Sequence, residues 1–177
     1  MSNYIRNYSK GATYFLTLNL QYRLNNTLLI DNINLLRQAF RSVKRKHRFK
    51  TDAIVILPDH IHMLLTLPKE SCDYTNIVRT FKAYVSKNLP MTEHISCTRK
   101  NRNERGIWQR RFWEHAIGDQ QDYNNHMDYI HWNPVKHGYV KRVKDWKYSS
   151  FHKCVEKGMY DINWCASDVI SKREFSE

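Results

Sequence analysis

The sequence predicts an α+β fold in which helices pack against one antiparallel sheet. Segments with the alternating pattern of strands are interspersed with segments whose apolar residues recur at helical spacing. Two strand-like runs follow each other with only a Pro-Asp pair between them, which indicates a tight antiparallel hairpin. The chain has 177 residues, of which 41% are hydrophobic and 13% aromatic, so it can bury a sizeable core.

The first half of the chain supplies three predicted strands and one helix. Residues 13–18 are rich in aromatic and β-favouring side chains and predict the first strand. Apolar residues at three- and four-residue spacing predict an amphipathic helix over 31–46, with Asp31 as its N-cap. The apolar runs 53–57 and 61–67 predict the two strands of the hairpin.

The second half continues the alternation. A helix is predicted to start near Asp73 and to end before Pro90, and the polar segment after it is predicted to be a loop. Residues 107–117 predict a fourth strand, and residues 119–133 a third helix that Pro134 ends. The first six elements follow the βαββαβ order of a ferredoxin-like sandwich, to which the third helix is an addition.

We predict a single domain over residues 1–177, with residues 140–177 as a C-terminal extension. This extension contains aromatic residues that would pack back on the domain, because large aromatic side chains seldom stay in water. They are Trp146, Tyr148, Phe151 and Trp164.

Charge is the first indication of function. The net charge is +12, and the first fifty residues contain ten Lys or Arg but a single acidic residue. Such a chain attracts polyanions and gains binding free energy by releasing their counterions, which favours a nucleic-acid partner. No apolar run reaches the length of a membrane span and no signal peptide is evident, so we expect a cytoplasmic protein. The four cysteines contain no C-x-x-C pair, which argues against a zinc ribbon.

The sharpest local motif is His60-Ile61-His62. Because side chains alternate along a strand, His60 and His62 are predicted to project together from the outer face of the sheet, with Ile61 in the core. Two adjacent imidazoles can hold one divalent metal ion. The alternative is that two histidines merely decorate an exposed strand.

The third helix carries a candidate nucleophile. Tyr129 and Asn133 are four residues apart and therefore share one helix face, whereas Tyr123, Met127 and Ile130 form an apolar stripe predicted to face the core. A phenol of pKa about 10 attacks poorly alone, but a metal ion that polarises a phosphate would assist it. The alternative interpretation of Tyr129 is an ordinary surface tyrosine.

These residues resemble a known family. His60-Ile61-His62 resembles the histidine–hydrophobe–histidine (HUH) motif of single-strand DNA nucleases that use a tyrosine nucleophile. Four further segments are similar to the REP-associated tyrosine transposases, named for repeated extragenic palindromes, and the resemblance runs from about residue 4 to residue 164. These segments are 11–17, 108–115, 129–138 and 146–150.

The resemblance implies a sequence-specific endonuclease and strand transferase that acts on single-stranded DNA at palindromic hairpins. Tyr129 matches the nucleophile that forms a 5′-phosphotyrosine intermediate. His60, His62 and Asn133 match the metal ligands, and open coordination positions favour Mg²⁺ or Mn²⁺ over zinc. The family commonly has Asn at the position of Asp59, and we assign Asp59 to the turn.

The expected partner is single-stranded DNA with a hairpin, in the bacterial cytoplasm at the nucleoid, and the enzyme is expected to act as a monomer. Basic residues near the site are expected to contact phosphates, and Trp132 to stack on an unpaired base. For Trp108 and Trp113, stacking and core packing both remain open. The predicted phosphate contacts are Arg110, Arg111, Lys136, Lys141 and Arg142.

Two other functions are compatible with parts of this pattern. A catalytically idle hairpin-binding protein would use the same fold and basic residues. A metal-dependent hydrolase would activate water and leave Tyr129 structural. The presence of Tyr129 together with His60, His62 and Asn133 favours the transposase-like enzyme, because a mere binder has no need of all four.

Overall fold

The computed structural model describes residues 8–93, 95–102 and 104–166. Four strands form one antiparallel sheet in the order β2-β3-β1-β4, so that β1 and β3 are central and β4 is an edge. This arrangement confirms the predicted α+β fold with its βαββαβ order and antiparallel sheet. The strands are β1 (Thr13–Asn19), β2 (Lys50–Ile56), β3 (His60–Thr66) and β4 (Trp113–Ala116).

Six helices lie in the described part of the chain. Helices α2 and α3 pack against each other on one face of the sheet, whereas α5 covers the opposite face and contacts β2 and β3. The helices are α1 (Leu28–Asp31), α2 (Ile33–Lys46), α3 (Tyr74–Asn88), α4 (Cys97–Asn101), α5 (Gln120–Lys136) and α6 (Phe151–Glu156), and a short 3₁₀ turn covers Val143–Asp145.

Strand alternation divides the buried residues into two cores. Ile61 and Met63 point towards α2 and α3, as the sequence predicts, and join the larger core. Phe15 and Leu64 point to the other face and form a second core with α5. The residues of the two cores are buried on opposite faces of the sheet, with partly buried side chains packed against each core.

The strand register determines which polar residues share the α5 face. Thr17 on β1 lies opposite His62 on β3, and Asn19 lies opposite His60. On the other side of β1, His115 of β4 lies opposite Phe15. Residues directly opposed in an antiparallel pair project to the same face, so these five polar residues and Phe15 all belong to the α5 side.

The fourth strand is shorter than predicted, since only Trp113–Ala116 of the expected residues 107–117 form it. Trp108 first forms an isolated bridge with Leu20, directly after β1, and the Gln109 amide donates to the Asn19 carbonyl at 2.9 Å. Residues 110–112 then bend away from the sheet before β4 begins. The interruption leaves two arginines exposed on the bend.

Two helix starts were predicted correctly and one was not. The carboxylates of Asp73 and Asp119 accept main-chain N–H groups at the starts of α3 and α5. Asp31 instead closes the short helix α1, where it accepts a hydrogen bond from the Thr27 hydroxyl at 2.7 Å. The loop predicted over 91–106 also contains the five residues of α4.

The prediction that Pro134 ends the third helix is wrong. Helix α5 continues to Lys136 with Pro134 buried inside it, because a proline costs only one main-chain hydrogen bond near a helix end and its side chain packs here. Gly138, at φ 72°, ends the helix, and its amide donates to the Val135 carbonyl at 2.9 Å. The extra turn projects Lys136 from a rigid helix.

The extension after α5 packs on the outer edge of β2. Ser149 bridges Val55, and the Ser150 amide donates to the Ile54 carbonyl at 2.8 Å. The Trp146 indole donates to the carbonyl of Ile56 at 3.1 Å. The predicted packing of this tail is therefore confirmed as far as residue 166, and residues 167–177 lie outside the described part.

Candidate active site

The two histidines of the motif lie side by side beneath α5. The ring centroids of His60 and His62 are 4.8 Å apart, and both side chains are fully buried. They share a face, as predicted, but that face is not an exposed outer one because α5 covers it. Because burial removes the hydration of both imidazole rings, each ring needs a polar partner to compensate.

Each histidine has one ring nitrogen held by a protein group. His62 Nδ1 lies 2.9 Å from the Thr17 hydroxyl, and His60 Nδ1 lies 2.6 Å from a carboxylate oxygen of Asp59. Arg23 donates to the other oxygen of Asp59 at 2.6 Å. These contacts orient the rings and leave the Nε2 atoms as the ligating side.

Asp59, which is predicted to belong to the turn, also interacts with His60 and Arg23 in the site. Burial would raise the pKa of its carboxyl, but the hydrogen bonds and charges of His60 and Arg23 outweigh burial and hold the pKa at about 2. Burial lowers the pKa of His60 despite the neighbouring carboxylate. At neutral pH the pair is therefore an ionised carboxylate beside a neutral imidazole, the form that ligates metals.

Helix α5 places Tyr129 against this histidine pair. The Tyr129 side chain is fully buried, and its ring centroid lies 5.3 Å from that of His62 and 5.9 Å from that of Phe15. Two turns later, Lys136 Nζ lies 3.5 Å from the Tyr129 hydroxyl and 5.1 Å from the ring centroid. A positive charge at this position favours negative charge on the phenol oxygen.

Asn133 lies one turn after Tyr129 and is also fully buried. Within the described residues, neither amide atom of Asn133 has a hydrogen-bond partner, and the same holds for His60 Nε2. Buried polar atoms are nearly always paired, so an exception calls for a reason. Imidazole nitrogens and a carboxamide oxygen together fit a divalent cation.

The competing tyrosines are held elsewhere. Tyr123 is half-buried in the second core, where burial and the nearby Asp52 raise its pKa to about 12. Tyr139 is 43% exposed and stacks on Trp146 at 5.5 Å. Of the three, Tyr129 is the tyrosine that the structure brings to the histidines.

The predicted DNA contacts fall in three separate places. Arg110 and Arg111 are exposed on the bend before β4, whereas Lys136 lies at Tyr129. A cavity of about 110 Å³ brings three others together, although Arg142 is paired with Asp145 at 2.9 Å. Its lining includes Trp132, Lys141, Arg142 and Trp164.

Sequence reasoning missed a basic groove between α3 and the segment before β4. This groove has a volume of about 1260 Å³ and carries aromatic side chains among its basic ones. The spacing of basic residues along one side of α3 was the available signal. The basic lining residues are Arg79, Lys82, Lys87, Arg99, Arg102, Arg105 and Arg110, and the aromatic ones are Tyr8, Tyr22, Trp108 and Phe112.

In the described part of the chain, no helix is both long and apolar enough to cross a membrane.

Residues 11–133 match the family described as IS200-like transposases. A Haemophilus influenzae protein assigned as a REP-associated tyrosine transposase is 47% identical over 165 residues, which are 93% of each chain. The REP-associated tyrosine transposase of Escherichia coli K12 is 44% identical over 169 residues, covering 96% of this chain and 93% of that protein.

A solved structure of a REP-associated tyrosine transposase bound to a REP hairpin has the same fold. It superposes with a TM-score of 0.81 at 40% identity and covers 99% of this chain and 100% of its own. The family match and the two relatives span the strands and the helix that form the site. The chain therefore belongs to the IS200-like transposase family, among the REP-associated tyrosine transposases, and is an enzyme of that class.

Proposed function

We propose that the protein is a metal-dependent, sequence-specific endonuclease and strand transferase for single-stranded DNA at REP-type hairpins. The observation that carries this proposal is the buried contact of Tyr129 with His62, which lies next to His60. Among the residues that the structure describes, none forms a hydrogen bond with His60 Nε2. We infer a hairpin as the DNA substrate from the relatives. They are named for REP association, and the solved structure of one such protein has a REP hairpin bound.

The chemistry is a transesterification at phosphorus. The Tyr129 oxygen attacks the scissile phosphate, the bond to the 3′-oxygen breaks, and the products are a 5′-phosphotyrosine and a free 3′-hydroxyl. The phenol loses one proton and the leaving 3′-oxygen gains one, so the step is balanced. A 3′-hydroxyl from another DNA end can reverse it, because one phosphodiester simply replaces another.

Lys136 serves this step directly. Its ammonium lies 3.5 Å from the Tyr129 hydroxyl, where it stabilises the phenolate that forms as the proton departs. In a buried site this attraction is stronger than in water, because the effective dielectric constant is lower. We therefore propose that Lys136 stabilises the Tyr129 phenolate and does not contact a remote phosphate.

His60, His62 and Asn133 would hold the cation, Mg²⁺ or Mn²⁺, with Asp59 and Thr17 orienting the imidazoles. When bound, it supplies positive charge for the non-bridging phosphate oxygens. The ligand set is neutral, so the net charge that the ion brings is available to the phosphate. Because Tyr129 and both histidines are fully buried, reaction also requires a rearrangement around the site when DNA binds.

We place the DNA hairpin in the basic groove. The groove lies on the α3 side of edge strand β4, and the exposed Arg110 and Arg111 lead from it into Trp113 on the α5 face. A single strand leaving the hairpin could thus pass around β4 and reach Tyr129. Trp132, Lys141 and Arg142 would contact DNA from the other end of α5.

The enzyme acts as a monomer in this proposal, at the nucleoid of the bacterial cytoplasm where its substrate lies. Support for a monomer comes from the site itself, because β3 and α5 of one chain bring His62 and Tyr129 within 5.3 Å. No second chain is needed to complete the constellation.

The test is a denaturing gel after incubation with end-labelled hairpin DNA that carries a single-stranded flank and with Mg²⁺ or Mn²⁺. A label that migrates with the protein supports the proposal. Free cleaved product without any adduct would identify a hydrolase that activates water. Hairpin binding without cleavage would identify a binding protein.

A further inference from the structure

A second cluster of metal-ligating side chains lies beside the site, on the same face of the sheet. It consists of His115 on β4 and of Asp122 and His126 in the first two turns of α5. One potential ligand atom from each residue lies within 4.8 Å of the other two. None of these residues belongs to the constellation of Tyr129, His60, His62 and Asn133.

The three side chains are already arranged around the Asp122 carboxylate. His115 Nε2 lies 2.7 Å from one carboxylate oxygen, and His126 Nδ1 lies 3.0 Å from the other. The two imidazole rings are nearly parallel, with centroids 4.9 Å apart. The Gly118 amide donates to Asp122 at 3.0 Å and so fixes the carboxylate from outside the cluster.

The chemistry of these donors selects a class of ion. Two imidazole nitrogens and one carboxylate oxygen are typical ligands of zinc and similar borderline transition metals, whereas Mg²⁺ prefers oxygen alone. The main-chain carbonyl of Asp122, 2.8 Å from His126 Nδ1, could add an oxygen ligand. His115 is 40% exposed at its side chain, so an ion can enter from solvent.

We propose that His115, Asp122 and His126 form a second cation site, for zinc or a similar borderline metal, that fastens the start of α5 to β4. His126 precedes Tyr129 by three residues and lies across Phe15 from it, with ring centroids of His126 and Phe15 4.7 Å apart. An ion bound here would therefore stabilise the helix that carries the nucleophile.

The test isolates this site from the predicted catalytic one. A double variant, His60→Ala with His62→Ala, removes two of the predicted catalytic ligands. Its cysteines are capped by alkylation, since Cys97 and Cys165 are exposed thiols that could bind zinc. Any affinity tag is removed. Titration with Zn²⁺ in excess Mg²⁺, followed calorimetrically, should show one equivalent bound, and Co²⁺ should give a visible absorption band.

Adding His115→Ala to that variant should weaken Zn²⁺ binding roughly tenfold or more, because a ligand is lost. Asp122→Asn, which keeps the side-chain shape, should act in the same direction. His152→Ala is the matched control, since His152 is exposed on α6 outside the cluster, and should leave binding unchanged. Absence of stoichiometric zinc in the double variant, or undiminished binding after His115→Ala, would show a hydrogen-bond network only and overturn the proposal. Neither result depends on DNA cleavage.

Discussion

The same strands form both faces of the sheet, but the two faces bury different kinds of side chain. The face under α2 and α3 is lined mainly by aliphatic and aromatic side chains such as Leu16 and Met63, and its buried Glu114 accepts a hydrogen bond from the Tyr74 hydroxyl at 3.0 Å. The face under α5 buries Thr17, His60 and His62, all fully inaccessible to solvent. Burying imidazoles costs free energy unless each is well partnered, so stability alone does not explain their concentration on one face.

The comparison shows how one small fold separates its tasks. The α2–α3 face provides the apolar burial that stabilises the sheet, at about 25 cal/mol for each Å² removed from water. The α5 face has a less favourable core because it contains the reactive groups. Substitutions on the two faces should therefore have opposite signatures, one in stability and the other in chemistry.

The largest expected effect is on the α5 face. Tyr129→Phe removes one hydroxyl and keeps the ring, so it should abolish the covalent protein–DNA adduct while lowering the free energy of unfolding by only about 1 kcal/mol. Tyr123→Phe is the control and should retain the adduct. Denaturing gels and peptide mass spectrometry would check both, and an adduct that survives in Tyr129→Phe would refute the assignment.

Matched alanine substitutions on β3 would separate the catalytic role of one face from the stabilising role of the other. His60→Ala should abolish cleavage yet leave hairpin binding in place, because binding depends mainly on phosphate contacts elsewhere. Met63→Ala should lower the free energy of unfolding by about 2–5 kcal/mol, while activity per folded molecule stays near that of the wild type. Chemical denaturation and cleavage assays on the same samples measure both. Normal cleavage by His60→Ala would remove the case for a metal at this position.

The monomer prediction can be tested by mixing two inactive variants. If each chain contains a complete site, Tyr129→Phe and His60→Ala should not restore cleavage to each other. A chain that donates its α5 to a partner would instead regain a fraction of the activity in the mixture. Sedimentation with hairpin DNA gives an independent measurement of stoichiometry.

The basic groove should appear in the salt dependence of binding. Each phosphate neutralised contributes about 0.7–0.9 to the slope of log K against log salt. Arg79→Ala and Arg110→Ala should each reduce the magnitude of that slope by about 0.7–0.9, the contribution of one phosphate contact. Arg142→Ala should have less effect because Arg142 is paired with Asp145. An unchanged slope for Arg79→Ala would place the hairpin outside the groove.

The sequence predicted the elements and the histidine pair because both follow from local rules. Strand alternation was enough to put His60 and His62 on one face, and helical spacing was enough to group Tyr129 with Asn133. The fourth strand was predicted too long, because its pairing with β1 is interrupted at residues 110–112, between Gln109 and Trp113, and no local pattern in the sequence marks that interruption.

The groups that support the histidines could not be found from local patterns. Thr17 reaches His62 only through the register of β1 with β3, which no periodicity in the sequence specifies. Arg23 comes from a loop and meets Asp59 across 36 residues. Lys136 is predicted to contact phosphate because it is a basic residue near the site in sequence, and its position 3.5 Å from the Tyr129 hydroxyl depends on the continuation of α5 past Pro134.

The smallest expected effect concerns the outward side of α5, where Asp128 accepts a hydrogen bond from Tyr160 at 2.6 Å. Burial raises the pKa of the Asp128 carboxyl above its usual 3.8, although Tyr160 partly opposes this. A carboxyl whose pKa is higher in the folded state stabilises the fold most below its unfolded pKa, and that contribution is lost as pH rises through the folded pKa. Asp128→Asn keeps an oxygen for Tyr160 but cannot ionise. We therefore expect a flatter dependence of the free energy of unfolding on pH above about 4, with a difference at neutral pH within about 1 kcal/mol. Urea denaturation across that pH range would measure it, and an unchanged pH dependence would show that Asp128 has no part in it.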